Sequence, residues 1–323
     1  MVRPSTLEDA EASGLTGSAG PARLRARFSR NEVPWIAVVA FLSPALIFYL
    51  AFTVYPIIRT FHNSLLFIRP RGMEEFVGLH NFVTLAGDRR FWTAVGNTAI
   101  WAILAPILDV TIGLFLALCL YAGVPFSRFL RIAWFTPTLI SYVVIGILWS
   151  WIYNYDWGVP NQILRTLGAP GWQRQWLGDP GSATLSLIVV SSWKWAGFNM
   201  IVCLAALHGL PSEVLEASEL DNCGWYKKIY FIVLPMIAPT IVGLFILDIV
   251  GKMMVFDLPW IMTGGGPLWS TETVSTYLYK RAFRWNTFDL GYPSAIAVVW
   301  FALILIITLA FKVLFRRRDK LEY

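Results

Sequence analysis

Long apolar runs separated by short polar stretches dominate the chain from about residue 35 onward. Six of them, at about 35–58, 93–121, 132–153, 183–207, 236–256 and 293–315, approach the ~20 residues that a helix needs to cross a bilayer core of about 30 Å. The pattern predicts an all-α, polytopic membrane protein of six transmembrane helices with both termini on one side. Pro44, Pro56, Pro106 and Pro137 lie in or near these runs and are expected to kink rather than break them, since neighbouring helices can satisfy freed carbonyls. Asp248, Lys252 and Asp257 interrupt the fifth run, the least regular of the six.

Polar stretches divide this body from its ends. Residues 1–30 are rich in Ser, Gly, Ala and Pro without apolar periodicity and read as a disordered tail. The transmembrane domain occupies 31–315, and 316–323 form a basic tail. Between the fourth and fifth runs lies an amphipathic island, 212–235. In it Val214, Leu215, Ala217, Leu220 and Cys223 recur at helical spacing, with Glu213, Glu216 and Glu219 opposite. Ser212 is its expected N-cap, Asp221-Asn222 its end in a left-handed turn, and Pro235 the start of the next helix. A helix lying on the membrane surface is the plain reading of such an island.

Composition agrees with the spans: the 323 residues are 57% hydrophobic and 14% charged, which no soluble domain matches. Sixteen Trp and twelve Tyr suit residues anchored at the two interfaces. The net charge of +6 gathers near the ends, at Arg23–Arg30 and Arg316–Lys320, where basic clusters face anionic membrane lipid; nucleic acid is not the partner this implies. Counting Lys312 with the second tail, Lys and Arg number fourteen in the tails, the 122–131 loop and the 208–235 loop, against ten in the other loops, which places the former inside. Three cysteines, Cys119, Cys203 and Cys223, suggest no disulfide framework. No G-x-x-x-x-G-K-[ST] loop occurs, so the chain carries no ATPase site of that type, and Gly264-Gly-Gly-Pro267 reads as a turn.

Taken residue by residue, Glu216-Ala-Ser-Glu-Leu-Asp221-Asn-Cys, followed a dozen residues later by Leu234-Pro235, resembles the E-A-A-x-x-D-G-A loop of permease subunits of bacterial ATP-binding-cassette (ABC) importers. Ser218, Asn222 and Cys223 depart from it, Asn222 keeping the left-handed option of the usual glycine. Ser43-Pro-Ala-Leu, Tyr153-Asn-Tyr-Asp-Trp-Gly158 and Thr263-Gly-Gly-Gly-Pro267 are similar to segments of the carbohydrate-uptake branch, the maltose and glycerol-phosphate importers. The resemblance runs from about Leu42 to Phe315. It implies a type I importer permease fold and a cytoplasmic coupling helix whose residues Glu216, Ala217, Asp221, Asn222 and Pro235 engage a separate ATPase dimer. It also implies a second, related permease and an extracytoplasmic solute-binding protein. This chain would bind no cofactor, ATP and magnesium belonging to the ATPase, and would have no catalytic residue.

Ionisable residues within spans cost about 2.5–3.5 kcal/mol each on insertion scales, so Asp109, Lys194, Asp248 and Lys252 should face the bundle interior. Asp248 and Lys252, four apart, are placed to pair with each other on one helical face; for Asp109 a structural role is expected. The resemblance puts solute contacts at Thr138, Tyr142, Ser192, Lys194, Trp195, Phe198, Asp248 and Lys252. Spacings of three or four would set Thr138 with Tyr142, Ser192 with Trp195, and Asp248 with Lys252, each pair on one face. Core packing is the other reading of Trp195 and Phe198, and helix gluing that of Asp248 and Lys252. The expected cargo is a neutral sugar, oligosaccharide or polyol. A phosphorylated polyol, a self-sufficient secondary transporter and a membrane enzyme are the alternatives, the last poorly served by the scattered His62, His80 and His208.

Overall fold

A computed structural model describes residues 35–68, 73–285 and 289–315. The two predicted tails, 1–30 and 316–323, lie outside them. Residues 35–55 form one unit and the chain from Pro56 onward another.

The first unit holds α1 (Trp35–Tyr49), with Pro44 inside it, and a π turn, Leu50–Val54. From there the helix passes into α2 (Tyr55–Asn63). A short antiparallel hairpin follows, β1 (Leu66–Ile68) against β2 (Glu74–Phe76), a small β element that the all-α expectation missed. Then come α3 (His80–Ala86), α4 (Arg89–Tyr121), α5 (Ser127–Leu139), α6 (Tyr142–Ile152), α7 (Val159–Thr166) and α8 (Pro180–His208). They are followed by α9 (Ser212–Leu220), α10 (Trp225–Lys228), α11 (Leu234–Met253), α12 (Val274–Tyr279) and α13 (Gly291–Phe315).

Among the described residues five helical segments are long and apolar enough to span a bilayer: Trp35–Asn63, Arg89–Tyr121, Pro180–His208, Trp225–Met253 and Gly291–Val313. The sixth span is the pair α5 and α6, bent by 105°. Pro137 does more than kink this run. Helix α5 ends two residues after it, Ile140 turns extended at ψ 140°, and Ser141 caps α6 by accepting the Val144 N–H at 3.5 Å. The fifth span also differs from expectation. It starts at Trp225, because α10, a π turn at Ile229–Val233 and α11 run on as one helix. The Leu234 N–H reaches back five residues to the Ile229 carbonyl just before Pro235, which has no N–H to offer.

Helices α4 and α8 form the axis. Ala105, Ala117, Ala183 and Ala196 are fully buried, small residues that let helix backbones approach where lipid gives no hydrophobic drive between them. One apolar cluster, Val110, Ala117, Met200, Leu207, Val233 and Ile237, joins α4 and α8 to the fifth span. Another, Phe91, Ala94, Met253, Tyr277 and Ile296, joins α4 to α11, α12 and α13. A third, around Trp101, Ile145 and Leu187, joins α4 and α8 to α6.

Candidate functional site

Within this apolar frame, polar side chains from three helices converge. Asp109 of α4, Ser191, Ser192, Lys194 and Asn199 of α8, and Asp248 and Lys252 of α11 are all buried. Lys252 Nζ lies 2.7 Å from Asp109 Oδ2 and donates to Ser191 Oγ at 2.8 Å. Asp248 accepts instead from Asn199 Nδ2 at 3.1 Å. The expected Asp248–Lys252 pair is therefore replaced by an interhelical one. Lys252 crosses to α4, where Asp109 is fully buried and has no other cation, while Asp248 already receives the Asn199 amide.

Tyr142, Trp195 and Phe198 line the edge of this cluster, half-buried. Trp195 Nε1 donates to Tyr142 Oη at 2.7 Å, its ring meets Phe198 edge-on at 5.9 Å, and Lys252 Nζ stands 5.7 Å from the ring centroid. Lys194 does not point at this edge. Its ammonium donates to the carbonyls of Pro137, Thr138 and Ile140 at 3.1, 3.0 and 2.5 Å. Thr138 Oγ1 donates back to the Lys194 carbonyl at 2.9 Å. Thr138 and Tyr142 do not share a helical face, since the bend falls between them.

The structure thus gathers Tyr142, Trp195, Phe198, Asp248 and Lys252 in one place and turns Thr138 and Lys194 to backbone contacts. Four acceptor atoms in this region, both oxygens of Asp109, Ser192 Oγ and Asn199 Oδ1, are buried with no hydrogen bond from the protein, although Asp109 Oδ2 faces Lys252 as an ion pair. Asp109 also proves a direct member of the cluster. Asn199 and Ser191 went unnoticed in the sequence; their signal was an Asn and a Ser inside an apolar run, one turn from residues already singled out.

The amphipathic island forms α9 and a turn. Asn222 takes φ 51°, the expected left-handed closure, with its N–H on the Glu219 carbonyl at 3.0 Å and the Cys223 N–H on Ser218 O at 3.0 Å. Ser212 is the first helical residue rather than the cap, a position held by Pro211 without a side-chain bond. Ser218, where the related loops carry alanine, is buried; its hydroxyl donates to Leu215 O at 2.6 Å, so no polar group is stranded. Glu216, Ala217 and Asp221 are exposed beside Val214, Leu220 and Tyr226, the last two more than four-fifths exposed. Pro235 is exposed in the continuous helix that follows the turn.

A second polar cluster sits where α4, α12 and α13 begin. Asp88 caps α4, accepting the N–H groups of Arg90 and Phe91 at 2.9 and 3.4 Å. Its other oxygen accepts the hydroxyls of Tyr277 and Tyr292 and Arg281 Nη2 at 3.4 Å. Burial pushes this carboxyl up, but the converging donors hold it below the ordinary aspartate value. Nearby, Glu272 takes the Lys280 ammonium and the Thr276 hydroxyl, and burial still holds its carboxyl above the usual range. Gly265, at φ 86°, passes so close to that pair that a Cβ would strike Glu272 Oε2, which explains one glycine of the triple run.

The family model described as "Binding-protein-dependent transport system inner membrane component" matches residues 109–320. The chain is 37% identical to the probable ABC transporter permease protein YurN of Bacillus subtilis, over 84% of this chain and 91% of that protein. It is 31% identical to the sulfoquinovosyl glycerol transport system permease protein SmoG of Agrobacterium fabrum, over 93% and 100%. It is likewise 31% identical to the trehalose/maltose transport system permease protein MalF of Thermococcus litoralis, over 85% and 92%. Among solved structures it superposes on a bacterial ABC transporter involved in the import of the acidic polysaccharide alginate, with TM-score 0.77, 24% identity and coverage of 88% and 96%. That last likeness concerns the fold, which is the type I importer permease fold. The chain belongs to the binding-protein-dependent transport-system inner-membrane component family, the permease subunits of ABC importers.

Proposed function

We propose that this chain forms half of the translocation path of an ATP-driven importer for a neutral sugar or oligosaccharide. A related permease supplies the other half, an extracytoplasmic binding protein delivers the solute, and a cytoplasmic ATPase dimer, holding ATP and magnesium, drives the cycle. One observation carries the choice of cargo. The half-buried rings of Tyr142, Trp195 and Phe198 edge the polar cluster, while the two lysines buried in this region are already engaged, Lys194 by three carbonyls and Lys252 by Asp109. Apolar ring faces with neutral polar neighbours suit a saccharide, and no free ammonium is left for a phosphate. Relatives named for trehalose/maltose, lactose and arabinooligosaccharide transport support the same class.

On this reading α9 is the coupling helix, cytoplasmic together with both termini. Glu216 and Asp221 orient it in the ATPase, exposed Leu220 and Tyr226 give it apolar contact, and Ala217 permits close approach. The test is reconstitution in proteoliposomes with the partner permease, ATPase and binding protein. Uptake of labelled trehalose, maltose, lactose and arabinooligosaccharide should require ATP and resist competition by glycerol phosphate. Glu216→Ala should abolish uptake with solute still loading the binding protein. Uptake without the ATPase, or competition by glycerol phosphate alone, would overturn the proposal, and full uptake by both Glu216→Ala and Asp221→Ala would remove α9 from coupling.

A further inference from the structure

Lys194 is the residue whose observed role departs furthest from the one implied by family resemblance. A helix that ends leaves its last carbonyls without partners. In water they would be solvated; inside a bilayer each must find a donor in the protein. Helix α5 ends at Leu139 within a bent span, and its end lacks the usual closing device, since Ile140 is extended and no glycine turns the chain. Only the Ile140 N–H returns, to the Pro137 carbonyl at 3.2 Å.

The missing donors come from α8. An ammonium has three protons, and Lys194 directs them to Pro137 O, Thr138 O and Ile140 O. Its charge faces the negative end of the α5 dipole rather than a carboxylate, and it sits 4.8 Å from the Tyr142 ring centroid, on the other arm of the bend. Neighbouring residues of α8 complete the joint. Gly197 lets the α5 backbone in so closely that a Cβ there would collide with the Trp134 carbonyl and lie 2.8 Å from Phe135 Cα. Trp195 Nε1 ties Tyr142, the first residue of α6. Four consecutive residues, Lys194 to Gly197, thus include contacts to both arms.

We infer that Lys194 is a positioning residue, which caps the broken third span from α8 and fixes the angle at which Thr138 and Tyr142 meet the path, and is not a ligand of the solute. The transport part of this inference rests on the proposed importer function; the structural part does not.

Two readouts separate them. Hydrogen–deuterium exchange of the purified importer follows the amides of residues 140–146, and uptake of the same four labelled sugars follows transport. Lys194→Met should speed exchange at 140–146 and lower the maximal uptake rate about tenfold, the loss expected for removing charged hydrogen bonds at a joint. It should do so by one common factor, with the order of half-saturation concentrations unchanged. Lys194→Arg, which retains charge and donors, should restore both. Unchanged exchange together with altered ratios among the sugars in Lys194→Met would make Lys194 a solute contact and overturn the inference. Should Lys194→Met fail to accumulate, Lys194→Arg decides alone. Wild-type exchange and ratios in that variant uphold the inference, and altered ratios at wild-type exchange overturn it. If wild-type importer moves none of the four sugars, the functional reading fails and the exchange arm still decides the cap.

Discussion

Two polar clusters among the described residues, one part-buried and one buried, are each built around an aspartate and differ in how completely they are satisfied. At the start of α4, α12 and α13, Asp88 receives two backbone N–H groups, two tyrosine hydroxyls and a guanidinium. Between α4, α8 and α11, Asp109 is faced by a single ammonium, and both its oxygens, Ser192 Oγ and Asn199 Oδ1 have no hydrogen bond from the protein. A saturated cluster fixes one arrangement, because any movement breaks several bonds at once. An unsaturated cluster is costly when closed and gains from water or hydroxyl-bearing solute whenever the path opens. On the proposed function, the first cluster serves as scaffold and the second lines the transport path.

The sharpest way to break that contrast is to unbalance the transport cluster. Lys252→Met leaves Asp109 buried without a cation and should destabilise the importer by about 3–5 kcal/mol. Combining it with Asp109→Leu should recover most of the loss, since removing both charges removes the desolvation cost. Thermal unfolding of the solubilised importer, read as a double-mutant cycle, measures this; additive losses would mean that the two residues do not act as a pair.

Sequence reading reached the six spans because bilayer thickness writes their length directly into apolar runs. It reached the left-handed turn that ends α9 because Asn222 is a local signal. It gave Lys252 the wrong partner because i,i+4 spacing was the only geometry available, whereas Asp109 lies 143 residues away and becomes the better partner only once α4 and α11 pack. Lys194 failed for a related reason: a lysine in a span announces that it needs acceptors, not which backbone will be broken to supply them. Asp88 was not singled out in the sequence, because its partners Tyr277, Arg281 and Tyr292 come from the far end of the chain.

The next prediction addresses the saturated cluster. Asp88→Asn should cost about 1.5–3 kcal/mol of stability, the scale of hydrogen bonds to a charged group, while leaving the half-saturation for sugar uptake unchanged. Ser192→Ala should show the reverse. Its hydroxyl has no protein partner to lose, so stability should stay within about 0.5 kcal/mol, while half-saturation rises about fivefold for the lost solute contact. Equal destabilisation by these two substitutions would erase the distinction between the clusters.

The smallest effect is on pH dependence. Asp88 is held below its unfolded value, so its contribution is present above the ordinary aspartate range and disappears as pH falls through the lowered native value. Glu272 is held above its unfolded value, so its contribution is complete in acid and fades as pH rises through the raised one. Unfolding temperature followed from pH 7 downward should therefore be less acid-sensitive in Asp88→Asn than in wild type. Glu272→Gln should instead lose the rise in relative stability that wild type shows on mild acidification.

The π turn at Ile229–Val233 has a consequence for angular phase. An α-helix advances about 100° per residue, and a π turn accommodates one residue more than the helical register would hold. The helix that leaves α10 and enters α11 is therefore offset in azimuth, so that the face bearing Trp225 and Lys228 is rotated against the face bearing Asp248 and Lys252. Deleting a single residue there would regularise the helix without removing any side chain of either site. The faces at the two ends would then keep nearly the relation they have now, because the wide turn already absorbs the extra residue. A regular helix of the same residues, with none deleted, would instead set the two faces about 100° out of their present phase.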